Sequence, residues 1–140
     1  MKGLATLVRM HRWQLDERRR DLANLERLID QLKAEAERLA DDLANEQQVA
    51  RQSDAANRAY GGFAQQVVVK QRRLATTLAE VEGRAAEVRE EVAEAFRELK
   101  RHEMTMAARE RKAQAEVERK DRVVLDEMGL NVHRRRVAAR

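Results

Sequence analysis

The sequence predicts an all-α protein in which two helices fold back on one another as an antiparallel coiled-coil hairpin. Three observations predict it. Charged residues make up 39% of the chain and aromatic residues 3%, too little bulky apolar material for a round core. Proline is absent, and Ala, Glu, Arg, Lys and Leu dominate, the composition of long helices. Finally, two separate apolar stripes repeat with a mean period of 3.5 residues, the period of a supercoiling seam. Disorder competes for so polar a chain, but the regular leucines argue against it.

The first stripe is Leu22, Leu25, Ile29, Leu32, Ala36, Leu39 and Leu43, with steps alternating 3 and 4. It predicts a helix over about 4–54, roughly 75 Å long. The second is Leu74, Leu78, Val81, Ala85, Val88, Val92, Ala95 and Leu99. It predicts a helix over about 63–128, roughly 100 Å long. Flanking positions are mostly Glu, Asp, Arg and Lys. Each stripe needs a partner, and the nearest is the other one. A continuous helix that dimerises is the alternative.

Between the stripes the pattern lapses in "QSDAANRAYGG", where Ser53, Asp54, Asn57, Gly61 and Gly62 collect. A glycine inside a helix costs about 1 kcal/mol relative to alanine, so the turn is expected within 53–62. Ser53 to Asn57 can form it, leaving Tyr60 and Phe63 on the first turn of the second helix, or it can reach Gly62. Gly83 is read as a tolerated helical glycine. In "VVLDEMGLNV", Gly129 fits the left-handed position past a helix end, with Leu130 packing back on Leu125. The hairpin is thus expected over 1–129 and a loose basic tail over 130–140.

That tail holds Arg134, Arg135, Arg136 and Arg140, the whole of the +4 net charge. A local basic tail is not a nucleic-acid-binding surface spread over a domain. "ERRRD" (17–21) is flanked by acids, and no long basic region runs into parallel heptads. Nucleic acid is therefore not an expected partner. No cysteine is present, so neither a disulfide framework nor a thiolate metal site is expected. The start lacks a secretory pattern. The longest strongly apolar run, Val67 to Val69, is far short of the ~20 residues that span a bilayer. A cytoplasmic protein without membrane insertion is expected.

Extending the seams away from the turn places His11 and Arg18 on the first helix, and His102, Met106 and Arg109 on the second, at core positions. The seam is apolar near the turn and polar near the free ends. Met10, Trp13, Met104 and Met106 gather there too, and exposed apolar side chains of this kind mark a contact surface. A frayed end whose long side chains reach water is the plainer account.

Catalysis needs convergent polar groups in a concave pocket, which a two-helix hairpin does not offer. No enzyme activity, cofactor or metal is expected. His11 and His102 are the one conceivable metal pair. A turn at Gly61–Gly62 would hold them roughly 15 Å apart. An earlier turn would let them approach, without a Cys or a clear third ligand.

The stretches "LATLVRMHRWQLDERRRDLANLERL", "AYGGFAQ" and "AFRELKRHEMTMAARERKAQAEVERKDRVVLDEMGL" resemble, in order and over about residues 4–130, the FliJ family of flagellar export proteins. Its injectisome counterparts are the YscO-type stalk proteins. Gly61–Gly62 within the Tyr60/Phe63 pair departs from the family pattern. The resemblance implies an antiparallel coiled coil similar to a rotary-ATPase shaft, peripherally associated with the inner-membrane export apparatus. Its terminal end would engage and stimulate the hexameric flagellar export ATPase. The rod would also link that ring to an export-gate membrane protein and assist export chaperones. Carried onto this chain, Arg9, Arg12, Trp13, Arg19, Arg20, Arg111, Lys112 and Arg119 would face the ring, and Tyr60 and Phe63 the gate. A purely structural coiled-coil spacer, or an export chaperone, is the alternative.

Overall fold

The computed structural model describes residues 2–139. It contains two helices, α1 (Lys2–Ala50) and α2 (Asp54–Ala138), and among the described residues only Arg51, Gln52, Ser53 and Ala139 lie outside them. The fold is the expected all-α, antiparallel two-helix coiled-coil hairpin, with no strand among the described residues. It divides into two compact units. The turn unit is Trp13–Phe96, and the terminal unit combines the residues up to Arg12 with those from Arg97 onward.

In the turn unit the two predicted stripes form the seam. Ile29, Ala85 and Val88 are buried, and every other stripe residue of this unit, from Leu22 to Leu43 and from Leu74 to Ala95, is half-buried. Leu15, Ala50 and Val67 extend the buried set. Ion pairs cross between the helices at Arg18–Glu91 (3.5 Å), Glu26–Arg89 (3.7 Å) and Lys33–Glu82 (3.9 Å). The partner numbers fall as the α1 numbers rise, which is antiparallel order. All six side chains are more than a third exposed. These pairs therefore fix register more than they add stability, because exposed ion pairs are worth about 0–1 kcal/mol. Arg18 leaves the seam to do this, and Glu91 receives both it and Arg84 (3.7 Å).

The turn lies earlier than the glycines imply. α1 ends at Ala50, and the Gln52 amide then donates a hydrogen bond to the Val49 carbonyl (3.0 Å). Ser53 then caps α2: its Oγ accepts from the Ala56 amide (3.0 Å), the N-cap to N3 geometry that satisfies an orphan donor. Asp54 follows in the first turn, where a carboxylate complements the helix dipole. The break thus touches the expected 53–62 window only at Ser53. Gly61 and Gly62 sit inside α2 with ordinary negative φ, and a Cβ at either would meet no atom within 4 Å. Neither a turn nor a close approach uses these glycines.

The far end of α2 also departs from expectation. Gly129 has no positive φ and caps nothing; the helix runs through it to Ala138. Of the segment expected as a loose tail, the part up to Ala138 is helical, with Arg135 and Arg136 in the last turn, where cations favour the dipole; Arg140 lies outside the described residues. No helix among the described residues is long and apolar enough to cross a membrane.

Candidate partner-binding surfaces

In the terminal unit, α1 contributes only its first turns, whereas α2 contributes more than forty residues. Val8 and Leu99 are fully packed, and Leu4, Met106 and Ala107 are half-buried. His11 and His102, the polar residues expected on the seam, do meet there. Their rings stack with centroids 4.5 Å apart and planes 19° from parallel. Glu98 Oε2 lies 3.7 Å from His11 Nδ1. The early turn is what brings them together. No group of three or more His, Cys, Asp and Glu side chains that could hold a metal ion occurs among the described residues. The pair forms a flat polar layer in the seam.

Just beyond it, Arg12 donates from Nε (3.3 Å) and Nη2 (3.2 Å) to Glu103 Oε1, and Lys100 Nζ reaches Oε2 (3.2 Å). The Lys100 hydrogen bond, more than that of Arg12, holds the Glu103 carboxyl below its ordinary range. This clasp joins the first turns of α1 to α2. From Ala108 to Ala138 every residue of α2 is exposed. Eight large apolar side chains are uncovered there, namely Val117, Val123, Val124, Leu125, Met128, Leu130, Val132 and Val137. Ten of the 29 Lys and Arg but six of the 25 Asp and Glu fall in residues 108–140, so the whole +4 excess sits there.

Of the residues expected to face the ring, Arg9, Arg12, Arg111, Lys112 and Arg119 belong to the terminal unit and all are exposed. Arg12 is engaged by Glu103, and Arg119 pairs with Glu116 (2.7 Å), which holds its guanidinium above the ordinary range. Trp13, Arg19 and Arg20 belong to the turn unit. Trp13 is 62% exposed, and Arg20 is tied to Glu17 (2.6 Å). The eight residues are therefore divided between the two units.

Tyr60 and Phe63 lie on the second and third turns of α2, both half-buried. Tyr60 borders an open depression of about 430 Å³ with Gln47, Arg51, Ser53 and Asn57. That depression arises because α2 begins at Asp54 and carries Tyr60 back beside the end of α1.

Comparison with protein-family models, with curated proteins and with solved structures finds no match. The apolar face beyond Ala107 is what the sequence reading missed. Its signal was present in Val117, Val124 and Met128 at helical spacing within the predicted second helix, but spacing alone does not show which stretch of a stripe is left uncovered.

Proposed function

We propose that this chain is a stalk-like component of a flagellar-type protein export apparatus, which engages a hexameric export ATPase and links it to the export gate. One observation carries the reading: from Ala108 to Ala138 the terminal unit's part of α2 leaves its apolar side chains uncovered and carries nine Lys and Arg against six Asp and Glu. Exposed apolar surface of that extent is a protein-contact feature. Its charge would steer encounter with an acidic surface and set contacts that can be remade as a ring changes state. The order of motifs that resembles the FliJ family supports the choice of partner, and the two-helix fold is compatible with it. The stalk itself binds no nucleotide; the ring would hold it.

The test is co-purification with a flagellar export ATPase and measurement of turnover. Reversal of Arg9, Arg111 and Lys112 to Glu, all at exposed positions, is expected to leave helical content unchanged and abolish stimulation. The same reversal at Arg19 and Arg20 tests whether the turn unit contributes to that contact. Substitution of Tyr60 and Phe63 is expected to spare turnover and impair motility. A spacer would tolerate all these sets alike.

A further inference from the structure

The uncovered part of α2 carries a second pattern. Glu110, Ala113, Val117, Asp121, Val124, Met128, Val132 and Arg135 follow one another in steps of 3, 4, 4, 3, 4, 4 and 3. That is close to the 3.6-residue period of a straight helix, so all eight share one face. Every one is exposed, and Val117, Val124, Met128 and Val132 are each about half uncovered. The face also continues the one on which Leu99 and Met106 meet α1, an apolar seam that outlasts its partner helix.

The series reads the same in both directions. Laid antiparallel against a copy of itself, Met128 meets Val117, Val132 meets Ala113, and Arg135 meets Glu110, each twice by symmetry. A parallel arrangement would instead set Glu110 against Glu110 and Arg135 against Arg135. Charge complementarity thus selects one orientation. We infer that residues 110–135 of α2 are a self-association surface, on which a second copy of this chain docks antiparallel about a two-fold axis near Arg122–Val123.

The overlap is about 26 residues, ~39 Å of helix. Most helical stability comes from packing of an apolar face rather than from propensity, and on this exposed stretch the second copy supplies that packing. Asp121 comes opposite Val124 of the other copy at the centre of the face, and covering its carboxylate without a partner is a cost that keeps the association modest and reversible. Arg111, Lys112 and Arg119 lie on other sides of the helix, so the dimer leaves them open. The inference does not depend on an export role.

Sedimentation equilibrium of the full chain over a concentration series tests it. The mass is expected to rise from 16.2 kDa toward twice that value. Glu110→Arg is expected to weaken the dimer about tenfold, since two symmetric attractive pairs become repulsive. Adding Arg135→Glu is expected to restore it, a rescue that a loss of folding would not show. Because the chain has no cysteine, orientation is read separately. Val117→Cys mixed with Met128→Cys is expected to give a disulfide-linked dimer, whereas Met128→Cys alone gives none. A mass fixed at the monomer value at every concentration overturns the inference. So does a Met128→Cys chain that cross-links to itself, or an Arg135→Glu change that fails to rescue.

Discussion

Helix α2 holds two regions built from the same kinds of residue with opposite fates. From Leu74 to Leu99 its apolar stripe is buried or half-buried, whereas from Ala108 to Ala138 nothing is covered. Val88 is 1% exposed, and Leu125, equally suited to a seam, is 65% exposed. Composition does not distinguish them; the reach of α1 does. A seam residue is defined by what stands opposite it, so the same stripe is core in one place and contact surface in the other.

The largest effect that would break this comparison is a charge driven into the paired region. Val88→Asp is expected to destabilise the hairpin by at least about 3 kcal/mol, because the carboxylate is desolvated without a partner. Val124→Asp, measured at low-micromolar concentration, should move the melting curve by no more than about 0.5 kcal/mol. Equal effects would erase the distinction. Truncation gives a finer reading: Leu99→Ala is expected to cost ~2–4 kcal/mol and Leu125→Ala within about 0.5 kcal/mol, both by thermal denaturation.

Much of this was legible in the sequence. The two stripes and their pairing follow from 3.5-residue spacing, which also put His11 and His102 on the seam but left their meeting to the position of the turn. The turn was harder, because Gly61 and Gly62 advertise a break that Ser53 and Asp54 make. An N-cap is worth about 1 kcal/mol, comparable to the cost of a helical glycine, so local propensity alone could not decide between them. Packing did: the seam seats Ala50 and Val67, both buried, and fixes where the helices must part. Gly129 misled for a related reason, since a glycine can end a helix only where the backbone turns left-handed, and here it does not. Of the partner residues, the sequence located Arg111 and Lys112 on exposed surface but gave no means of seeing that α1 stops short of them.

The glycine reading has its own test. Gly61→Ala and Gly62→Ala are each expected to stabilise the hairpin by up to about 1 kcal/mol, because neither added methyl meets an atom within 4 Å. Destabilisation would mean that the chain turns there after all.

The smallest expected effect is a pH dependence at the clasp in the terminal unit. Glu103 is held below its ordinary value by Lys100 and then Arg12. Its contribution is therefore complete above the ordinary value of 4.5 and is lost as pH falls below it through the lowered value. Glu103→Gln should remove that portion of the acid-side slope by slightly lowering stability near neutrality, where the contribution is complete, while leaving stability at low pH almost unchanged. An unaltered slope would show that the clasp does not hold in solution.

Hydrogen exchange with mass spectrometry, on the dilute chain alone and then with a flagellar export ATPase, tests the central claim most directly. The chain alone is expected to show slow exchange over 74–106 and fast exchange over 108–138, with protection gained over 108–138 when the ring is added. Uniform slow exchange along α2, or protection gained only at 54–73, would contradict it.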